Sequence, residues 1–130
     1  MNVIESEFLV FFDVDDTLIL WDSIFNNPQD QVWITDPYDG AKVGVTPHHA
    51  HIKLLQNYHA RGATIVVWSQ NGYSWAKSVV QALKLEPHVH LIMSKPRIYV
   101  DDLPSKEWMG EHMYLPKDHH FGSSSYVKGE

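Results

Sequence analysis

The sequence predicts a single α/β domain, built as a Rossmann-like parallel sheet with helices on both faces. Short apolar runs rich in Val, Ile and Phe recur at about 8–13, 63–68 and 90–93, and such runs are typical of strands buried on both faces. Helical apolar patterns lie between them, and this alternation of strand and helix is typical of a parallel sheet. A length of 130 residues fits one domain with its own core.

Composition and charge exclude several classes of protein. Hydrophobic residues make up 44% of the chain and charged residues 20%, which is typical of a globular protein and not of a disordered one. The net charge of −6 makes broad attraction to nucleic acid or an anionic membrane unexpected. Because cysteine is absent, disulfides, thiolate metal sites and a cysteine nucleophile are excluded.

Nothing in the sequence predicts a membrane partner or secretion. No apolar run approaches the ~18 residues that span a bilayer. Residues 1–7 have neither the basic nor the apolar region of a secretory signal. We therefore expect a cytoplasmic protein.

The first predicted strand, at about 8–13, runs directly into a cluster of acids. Five apolar residues are followed by Asp13, Asp15 and Asp16 within four positions. An unpaired buried charge is costly, so carboxylates at the end of a buried strand indicate a bound cation, most simply a divalent metal ion. Ligands of open α/β sheets bind at the carboxyl ends of the strands, where Asp13 and Asp15 would stand.

A β-hairpin with a longish loop is predicted over about 32–46. Two short β-type runs flank the segment 36–41, whose Asp-Pro and Asp-Gly pairs are typical of turns. Residues 14–31, just before it, show no clear periodicity. The hairpin interrupts the strand–helix alternation of the rest of the chain.

One helix is predicted before the strand at 63–68 in the sequence, and another is predicted after it. The first has Thr46 as N-cap and Pro47 at its first position, and it ends at Gly62, which can supply a left-handed cap. The second runs over 73–85 with apolar residues at helical spacing, and a Glu-Pro pair stops it.

Beyond the second helix, we expect a third strand at 90–93, a fourth at 97–100 and a short helix within 105–113. Residues 118–130 are polar and include a Gly-Ser-Ser-Ser run, which predicts a flexible tail. The predicted domain therefore spans 1–117.

Polar residues follow each predicted parallel strand and should meet at one edge of the sheet. In strand order they are Asp13 and Asp15, then Ser69, then Lys95, then Asp101 and Asp102. Carboxylates can hold Mg²⁺, while an ammonium and a hydroxyl donate to phosphate oxygens. A free carboxylate can be a nucleophile that forms an aspartyl-phosphate, and a second carboxylate can move the protons. The set therefore predicts phosphoryl transfer.

This ordered set of motifs resembles the haloacid dehalogenase (HAD) superfamily of phosphatases and phosphotransferases. Its first motif is an apolar strand followed by Asp-x-Asp-x-Thr, which stands here as Asp13-Val14-Asp15-Asp16-Thr17. Its second and third motifs, a Ser or Thr that ends an apolar strand and a Lys, match Ser69 and Lys95. Its fourth, an apolar strand ending in acids, matches Ile98-Tyr99-Val100-Asp101-Asp102. The motifs keep the family's order over 8–102.

The resemblance implies a Mg²⁺-dependent phosphatase that works through an aspartyl-phosphate. Asp13 would be the nucleophile and a metal ligand. Asp15 would be the general acid/base, with its main-chain carbonyl on the metal. Asp101 and Asp102 would hold the metal directly or through water.

The remaining matched residues would serve the phosphate. Ser69 and Lys95 would hold the phosphoryl group, and Thr17 would support the loop beside it. The family's hairpin flap would correspond to about 32–46, and its compact turn after the first strand to about 14–24.

The chain has no room for a large cap domain, so it resembles the capless group of the family. An uncapped site is open to solvent unless a subunit or a large substrate covers it. We therefore expect a phosphorylated small molecule, or a bulky substrate such as a polynucleotide end or a phosphoprotein, or a homo-oligomer that covers the site.

Two other functions remain open. One is a non-hydrolysing module that binds phosphate and metal or accepts phosphate as receiver domains do, although receivers carry their phosphoacceptor on a later strand. The other is the phosphatase half of a nucleic-acid end-processing system, with its kinase elsewhere.

Histidines and aromatic residues allow further interpretations. His48, His49 and His51 lie at a helix start and could form a metal site or be solvated, and the pair at 119–120 is expected to be solvated. Three aromatic residues could stack on a substrate base or pack the hairpin against the rest of the domain: Trp21, Trp33 and Tyr38. Trp68 and Trp75 are expected in the core.

Overall fold

A computed structural model describes residues 4–21, 29–117 and the short strand at 127–128. The elements in chain order are β1 (Leu9–Phe12), β2 (Ile19–Leu20), β3 (Val32–Thr35), β4 (Lys42–Pro47), α1 (His49–Ala60), β5 (Thr64–Ser69), α2 (Tyr73–Ala82), β6 (Leu91–Ser94), β7 (Met113–Tyr114) and β8 (Val127–Lys128). Short 3₁₀ turns cover Glu86–His88 and Ser105–Glu107.

A three-stranded parallel sheet organises the domain, in the order β1-β5-β6. Phe12 lies opposite Val67, and Ser69 lies opposite Ser94. The carboxyl ends of all three strands therefore meet at one edge of the sheet. The predicted α/β class is confirmed, and each of these strands lies within one or two residues of its predicted range.

Both helices pack on the same face of this sheet, so the predicted arrangement with helices on both faces is wrong. The core joins Phe12, Ile65 and Val67, which alternate along their strands, to Leu55 of α1 and Val79 of α2. The two crossovers step in the same direction, from β1 to β5 and from β5 to β6. Right-handed crossovers that step the same way place their helices on the same side.

The other face of the sheet is partly open within the described part of the chain. Leu9 and Phe11 of β1 are 39% and 41% exposed, and Leu91 of β6 is similarly exposed. The Phe11 ring packs edge-on against Trp68, with 4.6 Å between ring centroids. An apolar surface thus lies opposite the helical layer.

The fourth predicted strand, at 97–100, is not formed. Residues 95–104 have no regular secondary structure, and Ile98 and Val100 are 83% and 98% exposed. The physical reason lies in the chain length, because only residues 95 and 96 separate β6 from this segment. A parallel strand needs a crossover of roughly a dozen residues or more.

The predicted hairpin is confirmed, since β3 and β4 pair antiparallel with Thr35 opposite Lys42. Strand β4 also pairs with β2, which the sequence did not predict, and the antiparallel sheet has the order β2-β4-β3. The flap is therefore joined to the turn that follows β1.

Three boundaries differ from prediction. Helix α1 is capped by His48, whose side chain accepts the His51 N–H, because Thr46 and Pro47 are the end of β4. The predicted helix within 105–113 is only the 3₁₀ turn already given. Of the predicted tail, 118–126 and 129–130 lie outside the described residues, and β8 pairs antiparallel with β7.

Within the described ranges, none of the helices is long and apolar enough to cross a membrane.

Candidate active site

Asp13 stands directly after β1, at the carboxyl edge of the parallel sheet. Its Oδ1 lies 3.1 Å from the Lys95 Nζ, and its Oδ2 accepts a 3.1 Å hydrogen bond from the Thr17 hydroxyl. Both partner side chains leave part of the carboxylate accessible, since about a third of the Asp13 side chain is exposed. The first and third motifs are thus brought into direct contact, as the sequence predicts.

A tight turn after β1 places Thr17 beneath Asp13. The N–H groups of Thr17, Leu18 and Ile19 all point at the Val14 carbonyl, at 3.1, 2.9 and 3.2 Å. Val14 and Leu18 are fully buried, so burial of their apolar side chains fixes the turn. The Thr17 hydroxyl is oriented by this anchored backbone.

Asp15 is held by three N–H donors. Its Oδ1 accepts from the indole N–H of Trp21 at 2.8 Å and from that of Trp75 at 3.1 Å. Its Oδ2 accepts from the Asn71 side-chain amide at 2.8 Å. The two indole rings stack with 6.1 Å between centroids. Asp15 is therefore positioned by three separate segments of the chain.

Ser69 is buried at the end of β5 and holds the loop that follows. Its hydroxyl accepts the Asn71 N–H at 3.0 Å, and its carbonyl accepts the Lys95 N–H at 2.9 Å. Ser69 does not line the cavity described below. In this geometry it positions Asn71 and Lys95, and phosphate binding by its hydroxyl stays a prediction.

A cavity of about 610 Å³ opens at this edge of the sheet, lined by Asp13, Asp15, Gln70, Asn71, Lys95, Pro96 and Arg97. Two carboxylates, two cationic side chains and two amides face the same space. This combination suits a phosphate ester, because cations and amide N–H groups bind the phosphate oxygens while a carboxylate faces the phosphorus.

Asp101 and Asp102 are not brought to this cavity. Both are exposed, neither lines the cavity, and Asp101 Oδ1 accepts the Leu103 N–H at 3.0 Å. The described part of the chain contains no group of three or more His, Asp or Glu side chains arranged to hold a metal ion. The fourth motif is thus separated from the other three.

The carboxylates of one chain do not fit Mg²⁺ as they stand. Among the described carboxylates, Asp13 and Asp15 are the ones that face the cavity, and all four of their oxygens already contact Lys95, Thr17 or an N–H donor. A hard divalent cation needs oxygen ligands that are free to coordinate it. The described part of a single chain therefore supplies an incomplete ligand set.

Sequence reasoning missed several residues of the site, including four that contact Asp15 or carry charge into the cavity. Asn71 and Arg97 follow β5 and β6 by two and three residues, so the strand-end rule that identified Ser69 and Lys95 could have included them. Trp75 was expected in the core and is buried, but its indole N–H reaches Asp15. The sequence around Trp21 does not indicate its hydrogen bond to Asp15, because that contact depends on the turn after β1.

His48 and His51 are neither solvated nor arranged as a metal site. The His51 ring joins the Thr17 carbonyl, 2.7 Å from Nδ1, to the Leu115 N–H, 2.8 Å from Nε2. The His48 Nε2 lies 3.1 Å from the Leu115 carbonyl. His49 is exposed and pairs with Asp30 at 2.8 Å.

The flap reaches the site through Tyr38, whose hydroxyl donates to the Asn71 carbonyl at 2.9 Å. It passes over Gly72, which has a φ of +102°, and a Cβ there would lie 2.8 Å from the Tyr38 oxygen. Trp33 stays exposed on the flap. The two histidines at 119–120, which were predicted to be solvated, lie outside the described residues.

No family model, no curated protein and no solved structure matches the chain. The functional argument consequently depends on the sequence motifs and on the geometry of this site.

Proposed function

We propose that this protein is a phosphatase that hydrolyses a phosphomonoester through an aspartyl-phosphate on Asp13. The observation that carries the proposal is the contact of Asp13 with Lys95 at 3.1 Å, on the wall of a cavity that also holds Asp15 and Arg97. A lysine that neutralises the carboxylate lets an anionic phosphate approach it. The motif order, the parallel sheet and the flap support a capless HAD-like fold as part of the proposal.

In the first step, an Asp13 carboxylate oxygen attacks the phosphorus while the bond between phosphorus and the leaving oxygen breaks. Asp15, in its protonated form, gives that oxygen a proton, so the alcohol leaves neutral. In the second step, the Asp15 carboxylate takes a proton from water. The water oxygen then attacks the phosphorus, which releases phosphate and restores Asp13. Lys95 and Arg97 offset the negative charge of the phosphoryl oxygens throughout.

The three N–H donors around Asp15 limit how it can give or take a proton. With all three bonds made, both carboxylate oxygens act as acceptors. When Asp15 carries a proton toward the leaving group, at least one of these bonds has to open. The Trp21 bond can open toward solvent, because that side chain is 42% exposed, whereas Trp75 is buried.

Mg²⁺ stays a prediction from the motifs, because the described carboxylates do not fit it as they stand; a bound Mg²⁺ would neutralise charge on the phosphate. The steps above depend only on side chains of this chain. The substrate class stays broad, because an open cavity with two cations accepts a phosphorylated small molecule or the phosphorylated end of a polymer.

Hydrolysis of para-nitrophenyl phosphate, with Mg²⁺ and with EDTA, tests the proposal. Asp13→Asn should lower turnover by at least about 10³-fold, because removing a covalent nucleophile removes most of the catalysis. Asp16→Asn is the matched control and should keep activity. It makes the same chemical change outside the cavity, at a φ of +59° that Asn tolerates. Equal activity in wild type and Asp13→Asn would exclude Asp13 as the nucleophile.

A second candidate function is a module that binds phosphate without hydrolysing it. The incomplete metal ligand set favours it, since Lys95 and Arg97 can bind phosphate without a metal ion. Inorganic phosphate that binds with measurable heat, in a protein with no turnover of any phosphomonoester, would favour this function over the phosphatase.

A further inference from the structure

One edge of β1 lacks a neighbouring strand. The strand pairs with β5 on one side and ends the sheet on the other within the described ranges. Phe11 and Leu9, beside this edge, are among the exposed apolar residues of the domain. An uncovered edge next to exposed apolar side chains is a template for another strand.

The segment 98–102 is the complementary feature. It carries three consecutive apolar residues, of which Ile98 and Val100 are 83% and 98% exposed and Tyr99 is half exposed. Exposed β-branched and aromatic residues in a row have the composition of a strand without a sheet. The segment ends in Asp101 and Asp102, the two acids that one chain fails to bring to the site.

The segment cannot pair in parallel with β1 of its own chain. Arg97 lines the cavity at the carboxyl edge of the sheet, whereas a parallel strand has to begin at the amino edge. The free edge of β1 also lies three strand positions from β6, about 14 Å at ~4.8 Å per strand. The four residue steps from Ser94 to Ile98 span at most ~14 Å when fully extended. Crossing the sheet and returning to its amino edge exceeds that reach.

We propose that the segment 98–102 of one copy pairs in parallel with the free edge of β1 in a second copy, while Arg97 stays at the cavity of its own copy. The pairing is reciprocal, so two copies exchange segments and close into a dimer. In the register that aligns the acids, Asp101 lies beside Asp13 and Tyr99 beside Phe11. The occupant is a second copy because the edge and the segment that matches it lie on one chain, and chain length forbids their pairing within it.

This exchange completes the site whose function is proposed above, and its catalytic meaning rests on that proposed function. Asp101 and Asp102 of one copy would join Asp13 and Asp15 of the other. Four carboxylates would then stand at one strand edge beside the cavity. Each site is then built from two chains.

Engineered cysteines test the pairing without reference to activity. The chain contains no cysteine, so Phe11→Cys with Tyr99→Cys introduces the only thiols. Neighbouring strands bring their Cα atoms within the ~4.4–6.8 Å that a disulfide spans. Mild oxidation should give a covalent dimer on non-reducing electrophoresis. The control pairs Tyr99→Cys with Trp33→Cys, on the flap, and should stay monomeric.

Two results would overturn the exchange. One is a Phe11–Tyr99 cysteine pair that yields only monomer, or no more dimer than the control. The other is wild-type protein that sediments as a monomer at micromolar concentration, a measurement that needs no variant.

Mixing two inactive variants tests the shared site. Asp13→Asn and Asp101→Asn are each expected to lose activity. Together, unfolded and refolded as a mixture, they should regain roughly a quarter of wild-type activity, because half of the random dimers are mixed and each holds one intact site. Suppose that the wild type is active and the cysteine pair cross-links, but the mixture regains no activity. The exchange of segments would then stand, and the proposed role of Asp101 and Asp102 in the site would be wrong. Inactive wild type that still cross-links would instead count against the proposed function alone.

Discussion

Asp15 shows how the surroundings of one residue limit its chemistry. A carboxylate that accepts two indole N–H groups and an amide is fixed in one orientation. That orientation costs no reorganisation when a leaving group arrives, which is the advantage of a preorganised site. The same three bonds compete with the proton that a general acid has to carry. Trp21 therefore has a positioning role, and its exposure lets it release Asp15.

Trp21→Phe keeps the aromatic ring and removes only the N–H that contacts Asp15. We expect kcat to fall by roughly tenfold, a part of the ~10²–10⁴ that acid–base catalysis contributes. KM should stay near the wild-type value, since Trp21 does not line the cavity. Steady-state kinetics with para-nitrophenyl phosphate measures both constants.

Trp33→Phe is the control for this substitution, because its side chain is more exposed than that of Trp21 and it belongs to β3. It should leave both constants unchanged. A Trp21→Phe enzyme that changed KM and kept kcat would show that the indole binds substrate and does not position Asp15.

At the scale of elements, two buried histidines join the start of α1 to the turn after β1 and to Leu115, the residue that follows β7. His51 contacts the Thr17 carbonyl and the Leu115 N–H, and His48 contacts the Leu115 carbonyl. The rings stack at 3.9 Å between centroids. The Leu115 N–H donates to the His51 Nε2, so that nitrogen carries no proton. His51 is therefore neutral here, with its proton on Nδ1. The contact network reaches Asp13 through Thr17.

Acid should loosen this junction. Burial, with Lys117 and His49 adding to it, lowers the pKa of His48 from its ordinary value of 6.5. Because the unfolded chain then binds the proton more readily than the folded one, the free energy of unfolding falls as pH drops below about 6.5. It should reach a lower plateau once the folded His48 also protonates. Thermal unfolding between about pH 7.5 and pH 5 measures this fall.

The matched pair of variants for this prediction is His48→Gln and His49→Gln. His48→Gln should unfold at a lower temperature at neutral pH and lose part of the pH dependence. His49→Gln changes an exposed residue and should retain it. A melting temperature that is equally pH-dependent in His48→Gln and in wild type would assign the effect to other groups.

Much of the fold could be predicted because its signals are local. β1, β5 and β6 are apolar runs, and the hairpin and both helices carry turn residues and periodicity within a few positions. The segment 97–100 has the same local pattern as a strand and is not one. The length of the connection, and not the composition, decides that outcome. Counting the residues between β6 and this segment would have revealed the problem.

The candidate site was predictable where its residues lie at strand ends, as for Asp13 and Lys95. It was not predictable where long-range packing brings a side chain in. Trp75 looked like a core residue from its helical spacing, and it is one, while its N–H serves Asp15. His48 and His51 looked solvated because they are polar residues at a helix start. Only the fold shows that Leu115 and Thr17 satisfy their ring nitrogens.

At the scale of the whole molecule, the decisive feature within the described residues is a sheet whose helices cover one face and whose other face is partly open. The helices bury Phe12, Ile65 and Val67, whereas Phe11 and Leu9 on the other face remain partly exposed. Hydrophobic burial is roughly proportional to the apolar area removed from water. A second copy that covers the edge of β1 would therefore add stability that one chain lacks, and folding and association become linked.

This linkage predicts that the melting temperature rises with protein concentration. When two folded chains associate and unfolded chains do not, mass action favours the folded dimer. Each tenfold rise in concentration should raise the midpoint by roughly 2–3 °C for a chain of this size. Calorimetry over two decades of concentration measures it. Val100→Glu, at an almost fully exposed position, should remove the dependence without unfolding the chain, because a charge there blocks pairing with the apolar edge and disturbs nothing inside one copy. A concentration-independent midpoint in the wild type would mean that one chain is stable with its sheet uncovered, and the exchange of segments would lose its thermodynamic basis.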